Sequence, residues 1–175
     1  MTFSNPAGNA AAAASDYVRA LLDVLGNQDP LEVLTQLIPW MDKRTQGLEN
    51  TVLRKPEAPG KWSVVEVIQH LADSELVFGF RIRMVLTADR PSLQGFDQDR
   101  WAREFSYNDA HLDIALGQLR GLRIPNLELA RKLSAQQLER VGIHSERGLE
   151  SAGHLVKLMA AHDLVHRRQI DRILA

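Results

Sequence analysis

The sequence predicts an all-α protein built around a four-helix bundle. Apolar residues recur at the three- and four-residue spacing of a buried helix face in four long segments. The strict alternation that marks a half-buried β-strand is absent from the chain. With 175 residues, of which 45% are hydrophobic, the chain can build a core of its own. We therefore expect a flexible tail over residues 1–14 and a single bundle domain over residues 15–175.

Composition and charge exclude several classes of function. The 21 basic and 22 acidic residues leave a net charge of −1, so we expect no nucleic-acid partner. The absence of cysteine rules out disulfides, thiolate metal ligands and a protein thiol nucleophile. Residues 1–14 resemble neither a signal peptide nor a transmembrane span. We therefore expect a cytoplasmic protein with no membrane partner.

Two helices are predicted in the first third of the chain. A short extra helix begins near residue 15 and ends at Gly26, outside the main bundle. Asp29 is placed to cap the next helix, and Pro30 occupies its first position, where proline fits best. This first bundle helix runs towards a loop rich in proline over residues 54–60.

The second bundle helix has a clear start. Ser63 and Glu66 have the spacing of a capping box, in which each side chain bonds to the other residue's backbone. The helix is expected to run to about Leu86. His70 lies at the edge of its apolar stripe, so we expect it to face a neighbouring helix without occupying the centre of the core.

A long connection separates the second bundle helix from the third. It covers residues 87–108 and contains a short predicted helix at 97–104, and such a connection is typical of a lid or of a crossover. The third bundle helix is expected to cover residues 108–138, with a kink at Pro125. Residues 142–148 are predicted as a turn before the last helix.

The last helix, residues 151–173, carries the strongest chemical signal. His162 and His166 lie four residues apart within its apolar stripe, so their imidazoles project side by side from one face. Two polar rings in a dry bundle interior need partners for their nitrogen atoms, and a divalent metal shared by both rings would be such a partner. Hydrogen bonding of both rings to backbone or carboxylate groups is the alternative.

His70 is a candidate third ligand. Metal sites of helical bundles are built from side chains on facing helices. If the second and fourth helices are antiparallel, His70 and the histidine pair differ by only ~4 Å in axial position, against ~9 Å if they are parallel. The long connection over residues 87–108 permits the antiparallel arrangement, which makes the bundle up-down-down-up.

Several motifs occur together in the pattern of one known family. They are Trp62-Ser63, His70-Leu71-Ala72-Asp73-Ser74-Glu75, Arg81, Asp97-Gln98-Asp99, and Ala161-His162-Asp163 with His166, Gln169 and Ile170. Over residues 30–173 the chain resembles the DinB/YfiT-like family of metalloenzymes. The resemblance implies an up-down-down-up bundle, usually a homodimer, with a nickel or zinc ion held by three histidines. These match His70, His162 and His166.

The resemblance also implies a reaction class. Relatives include transferases that use a low-molecular-weight thiol, so we expect a metal-dependent hydrolase or such an S-transferase acting on a small-molecule substrate. Three imidazoles leave a coordination position open, as a catalytic site requires. The alternative is a non-catalytic bundle that binds a metal or ligand for sensing, storage or structure.

Other polar residues are candidates for supporting roles. Asp73 and Asp163 are placed either to orient ligating imidazoles or to remain solvated. Glu75 or Asp163 is a candidate fourth ligand. Arg81 either meets an anionic substrate or forms a salt bridge. We expect the other three histidines to stay outside the ligand set: His111, His144 and His154.

Overall fold

The computed structural model describes residues 11–175. Its helices are α1 (Ala11–Leu25), α2 (Pro30–Thr45), α3 (Asn50–Leu53), α4 (Val64–Thr87), α5 (Gln98–Glu104), α6 (Leu112–Arg131), α7 (Ala135–Leu138) and α8 (Ala152–Ile173). Its strands are β1 (Ser92–Leu93), β2 (Val141–His144) and β3 (Gly148–Ser151), and a 3₁₀ turn covers Tyr107–Asp109. None of the described helices is both long enough and apolar enough to cross a membrane.

The two central bundle helices, α4 and α6, run in the same direction. Near their starts, the Gln69 Nε2 donates to Gln118 Oε1 at 3.2 Å. Near their ends, the Arg83 Nη1 donates to Asn126 Oδ1 at 2.6 Å. Consecutive bundle helices joined by a short loop would be antiparallel, so the long connection between them is what allows this arrangement.

Helix α8 runs antiparallel to α4. Val64 at the start of α4 shares a buried apolar cluster with Ile170 near the end of α8. Val85 near the end of α4 belongs to a second cluster, with Leu155 near the start of α8. The predicted proximity of His70 to the histidine pair depends on this orientation.

Helix α2 runs antiparallel to α6. Arg120 in the middle of α6 forms an ion pair with Asp42 near the end of α2, at 2.8 Å. Arg131 at the end of α6 donates to Thr35 Oγ1 near the start of α2, at 3.1 Å. The directions of the four helices confirm the predicted up-down-down-up bundle.

The predicted helix starts coincide with the observed caps. Asp29 accepts from the Leu31 amide at 2.8 Å, and Pro30 is the first residue of α2. The Ser63 amide donates to Glu66 Oε2 at 2.7 Å, and the Glu66 amide donates to Ser63 Oγ at 3.4 Å. Local signals were sufficient here because a cap needs only residues close in sequence.

Helices α6 and α1 differ from the predictions at their boundaries. Helix α6 begins at Leu112 and not at residue 108, which lies instead in the 3₁₀ turn Tyr107–Asp109. Helix α6 ends at Arg131 and not near residue 138, because Ser134 and Gln137 form a capping box of their own that starts α7. Helix α1 begins at Ala11, so the predicted tail over residues 1–14 is in part helical; an alanine run favours this extension. Residues 1–10 of that tail lie outside the described residues.

A small sheet accompanies the helices, although the sequence has no alternating pattern that would predict it. Strand β1 pairs in parallel with β2, and β2 pairs antiparallel with β3, with Ile143 opposite Leu149. Strands of two to four residues are too short to show an alternating pattern. The predicted turn over residues 142–148 is therefore a β-hairpin, and its pairing with β1 ties the long connection to the start of α8.

Candidate metal centre

His70, His162 and His166 converge on one point between α4 and α8. The Nε2 atoms of His70 and His162 are 3.0 Å apart, and those of His162 and His166 are 3.1 Å apart. Within the part of the chain that the structure describes, these side chains form a group whose candidate ligand atoms all lie within 4.8 Å of one another. The rings are buried, with exposed fractions of 1%, 7% and 8%.

His70 is more deeply buried than the sequence indicated. It was expected at the edge of an apolar stripe, but α4 buries several faces, and Val65 and Ile68 beyond the opposite edge of the stripe are also fully buried. The reason is that α4 is covered by α6 as well as by α8, which a single helix pattern does not reveal. The ring therefore lies within the core.

The hydrogen bonding of His166 fixes which nitrogen faces the cluster. Its Nδ1 lies 2.8 Å from Gln169 Oε1, an atom that only accepts. The neutral ring therefore carries its proton on Nδ1 and presents the Nε2 lone pair to His70 and His162. Gln169 is one turn further along α8, a position that the sequence pattern placed on the same stripe.

Burial keeps the three rings uncharged. Desolvation lowers the pKa of His70 and of His162 well below the usual value, and the neighbouring imidazoles lower both further. Desolvation lowers the pKa of His166 to about 4, although its bond to Gln169 opposes the change. Metals bind the neutral imidazole, so near pH 7 the site is in its ligating state.

The three nitrogens fit a divalent transition ion. Two ligands that each lie ~2.0–2.1 Å from one ion are separated by roughly 3 to 3.5 Å, which agrees with the observed spacings. Three neutral imidazoles can share few hydrogen bonds among themselves, since each has a single N–H. The cluster is thus better satisfied by a cation than by itself.

Aromatic rings cover the cluster. The Trp62 ring centroid lies 4.9 Å from that of His70 and 6.5 Å from that of His166, against which it stacks. Phe78 lies 6.2 Å from His162. These rings exclude water, which strengthens electrostatic interactions within the site.

A small cavity borders the cluster on the side of His70 and His162. Its volume is about 60 Å³, enough for roughly four water-sized groups. Ser74 also lines it, and the Ser74 Oγ lies 3.4 Å from His70 Nε2. A small molecule in this cavity would lie beside two of the three histidines.

Asp73 does not contact the histidines. It accepts from Gln118 Nε2 at 2.8 Å and from the Tyr107 hydroxyl, so it ties α4 to α6 and to the 3₁₀ turn. The orienting role that was one alternative for Asp73 is instead filled, for His166, by Gln169.

Asp163 and Glu75 are both bound to a buried arginine that the sequence reading missed. Arg123 lies 2.6 Å from Asp163 and 2.8 Å from Glu75. Although burial alone would lower the pKa of Arg123, the two carboxylates raise it. Arg123 falls on the apolar stripe of α6, four residues after Leu119, and this was the available signal. With this partner, neither carboxylate is free to act as a fourth ligand.

Arg81 and the remaining histidines lie around the site. Arg81 is buried, lines the cavity and donates to the Gln94 carbonyl. No salt bridge to Arg81 occurs within the described residues. His144 forms a local bond outside the cluster, accepting at Nδ1 from the Glu146 amide at 3.1 Å. The other two histidines lie at helix starts, outside the cluster: His111 before α6 and His154 in α8.

Comparison with known proteins shows similarity to one family and to several of its members. A family model described as the DinB superfamily matches residues 34–170. A protein of Oceanobacillus iheyensis with a provisional assignment as a metal-dependent hydrolase is 32% identical over 126 residues, 72% of this chain and 73% of that relative. A Bacillus cereus protein with the same provisional assignment is 26% identical over 133 residues, 76% of each chain.

One solved structure has the same fold. YfiT from Bacillus subtilis, described as a probable metal-dependent hydrolase with an unusual four-helix bundle topology, superposes with a TM-score of 0.74. The match covers 83% of this chain and 85% of YfiT at 23% sequence identity. The bundle architecture is therefore shared with an experimentally determined protein.

Proposed function

The chain belongs to the DinB superfamily, and from that premise we propose that it is a metal-dependent hydrolase of a small molecule. In this proposal His70, His162 and His166 hold one divalent transition ion. The observation that carries it is the convergence of three buried, neutral Nε2 atoms on one point. The relatives with provisional assignments as metal-dependent hydrolases support the reaction class.

A bound divalent ion would act as a Lewis acid and would supply a hydroxide nucleophile near neutral pH. The protein's own residues would orient the ligands, exclude water and bind the substrate. Gln169 holds the His166 ring with its Nε2 towards the cluster, and Trp62 keeps water away from it. The Ser74 hydroxyl, at the wall of the cavity, is placed to donate a hydrogen bond to a bound substrate.

We expect the ion to be zinc or nickel. Imidazole is a ligand of intermediate softness that suits zinc, copper, iron and nickel, whereas magnesium and calcium prefer oxygen ligands. No carboxylate belongs to the cluster of described residues, which disfavours the oxygen-preferring ions. Loading the protein separately with zinc and nickel, followed by the same activity assay, identifies the more active form.

Transfer of a low-molecular-weight thiol is the second candidate reaction. The chain has no cysteine, so a sulfur nucleophile would have to come with the substrate, and the cavity beside the cluster is the place where it would enter. Cobalt-substituted protein should then develop a sulfur-to-metal charge-transfer band when thiol is added. Absence of the band at millimolar thiol would leave hydrolysis, or a non-catalytic metal-binding role, as the better account.

We also expect a homodimer. Leu76 and Phe80 are 49% and 63% exposed and lie one turn apart on α4, and Ile114 and Ile124 are similarly exposed on the adjacent α6. Large apolar side chains that remain exposed on neighbouring helices are one mark of an interface. Light scattering at micromolar concentration measures the mass directly, and a mass of 19.6 kDa would exclude the dimer.

The experiment that tests the proposed activity is a panel of small esters and amides assayed with metal-loaded protein. We expect hydrolysis that chelation abolishes and that added zinc or nickel restores. His162→Ala should reduce the rate by at least about 100-fold, because loss of a ligand removes the ion. The matched control is His111→Ala, which removes an exposed histidine outside the cluster. Equal rates in loaded and chelated protein would contradict the proposal.

A further inference from the structure

Arg81 is a buried cation without a carboxylate partner. Only 4% of its surface is exposed, and it forms no salt bridge within the part of the chain that the structure describes. One Nη donates to the Gln94 carbonyl, and the guanidinium carbon lies 5.8 Å from the Phe78 ring centroid. Its buried Nε–H has no partner among the described residues. A buried charge and a buried donor that are both unpaired are costly to a fold.

Arg123, a second buried arginine, provides a comparison because its charge is neutralised within the protein. Arg123 is exposed to the same 4%, and it binds two carboxylates, Asp163 and Glu75. Desolvation lowers the pKa of Arg81 to about 10, whereas the carboxylates raise that of Arg123. The contrast indicates that Arg81 is left for a partner that the chain itself does not supply.

The charged groups around Arg81 do not take that role. Glu150 is held by Arg147 through two bonds, at 2.6 and 3.0 Å. His144 offers no acceptor, because its Nδ1 already accepts from the Glu146 amide and the neutral ring therefore carries its proton on Nε2. Glu146 remains; its side chain borders the cavity but forms no ion pair with Arg81 within the described residues.

Arg81 lies on the same face of α4 as His70, about three turns further along the helix. It lines the same cavity of about 60 Å³ as His70, His162 and Ser74. Arg81 lies eleven residues after His70 on α4, so their Cα atoms are about 17 Å apart along the axis, and the long arginine side chain brings its charged end to the cavity that both residues line. A ligand bound to Arg81 would therefore extend towards the histidines with its other end.

We propose that Arg81 binds the carboxylate of a small anionic substrate and orients its reactive group towards the three histidines. This inference rests on the proposed function, since it names the substrate class of the same site. An arginine Nε–H and a neighbouring N–H form the planar pair of donors that a carboxylate accepts. The apolar cavity residues Phe78 and Leu158 suit a short hydrocarbon part.

A monoanion fits the local charge better than a phosphate dianion. Arg147 and Glu150 neutralise each other, so Arg81 offers a ligand one positive charge, which a monoanion neutralises. A dianion would leave an uncompensated charge beside Glu146, and burial makes such a charge expensive. The cavity also has room for only a few non-hydrogen atoms beyond the anionic group.

The test measures binding of acetate, propionate and butyrate by calorimetry, with the matching amides as uncharged controls. Both zinc-loaded and chelated protein are used, because carboxylate binding to Arg81 should persist without the metal. We expect each amide to bind at least about 10-fold more weakly, as loss of a charge-assisted hydrogen bond implies. Arg81→Gln should weaken carboxylate binding to the same extent. Arg140→Gln, which removes an exposed arginine, should not.

Arg81→Gln also removes the bond to the Gln94 carbonyl, so a second variant that leaves this bond intact is needed. Glu146→Gln removes a negative charge at the cavity that has no ion-pair partner among the described residues, and it should tighten carboxylate binding about threefold. Weaker binding in Glu146→Gln, equal binding of acid and amide, or tighter binding of phosphate than of any carboxylate would overturn the inference. Metal content is measured on the same samples. One ion per chain without carboxylate preference would reject the substrate class and leave the metal site intact.

Discussion

Each histidine of the cluster can bind a metal only when its ring is uncharged and a ring nitrogen without a proton faces the ion. The surroundings of the rings set both conditions. Burial removes the charge from all three rings, and the acceptor Gln169 places the proton of His166 on Nδ1. The readiness of the site for a metal therefore depends on residues that would not bind it. The His162 and His166 pair was recognisable from its spacing, whereas the role of Gln169 became clear only from its distance to the ring.

Replacing Gln169 should weaken metal binding although all three proposed ligands remain. In Gln169→Leu the His166 ring loses its acceptor and no longer holds one tautomer and orientation. Loss of such a supporting bond typically costs 10- to 100-fold in metal affinity, so we expect about that change in a competition titration with a chelator. Gln136→Leu, an exposed glutamine on α7, is the control. Unchanged affinity in Gln169→Leu would show that His166 needs no such support.

Metal-free protein should lose stability in acid because of these rings. The pKa of His166 is about 4 in the folded chain and 6.5 in the unfolded chain, so below pH 6.5 the unfolded state binds more protons. The free energy of unfolding then falls as the pH drops from 6.5 to 4, by ~3 kcal/mol for this residue. Urea titrations of chelated wild type and His166→Gln across this range measure the difference. Parallel pH profiles would contradict the assignment.

Among the contacts between helices, the close packing of α4 against α6 does most to position the histidines. A Cβ added at Gly79 would lie 2.4 Å from the Asn126 amide, so the two helices approach closely there. Next to this contact, Asn126 bonds to Glu75, which in turn binds Arg123. The result is a buried polar layer that holds α4, α6 and α8 beside the histidines.

Gly79→Ala should destabilise the protein even though alanine favours helices. The added methyl group would displace Asn126 from its bonds, and overpacking of this kind costs about 1 to 3 kcal/mol. Gly117→Ala is the matched control, because no atom lies within 4 Å of a Cβ there, and we expect it to be neutral or to stabilise by roughly 0.5 to 1 kcal/mol. Thermal melts of both variants measure the effects. A stabilised Gly79→Ala would show that α6 can move away.

Elements with local signals were predictable, and those that depend on distant partners were not. The caps at Asp29 and Ser63 lie within a few residues of the groups they bind, so the starts of α2 and α4 were correct. Strand β1 is two residues long and exists only because β2 lies beside it. Arg123 was on an apolar stripe, but its carboxylate partners are on two other helices, and their proximity follows from the tertiary fold.

For the whole molecule, the bundle provides an apolar core that extends beyond the candidate metal site. Two apolar clusters lie on either side of the histidines, one containing α1, most of the buried residues of α8 and the end of α4, the other containing the start of α4 and Ile170 near the end of α8. Helices α2 and α6 contribute residues to both clusters. The topology could be predicted because only antiparallel second and fourth bundle helices bring His70 level with the histidine pair. The direction of the helices and the position of the site were therefore inferred together.

Removing the metal should leave the protein folded. Small metal-dependent domains unfold without their ion, but this chain has enough buried apolar surface to fold without one. We expect an unchanged helical circular dichroism spectrum after chelation, together with a lower melting temperature from the lost binding energy. A random-coil spectrum on chelation would assign the ion a structural role.

The metal content of the purified protein tests the central claim most directly. Elemental analysis after dialysis should give close to one divalent transition ion per chain in the wild type and in His111→Ala. The variant that combines His70→Ala, His162→Ala and His166→Ala should give none, since the cluster of described ligand atoms is then gone. Full metal content in the triple variant, or no metal in the wild type after loading with zinc and with nickel, would contradict the assignment of the site.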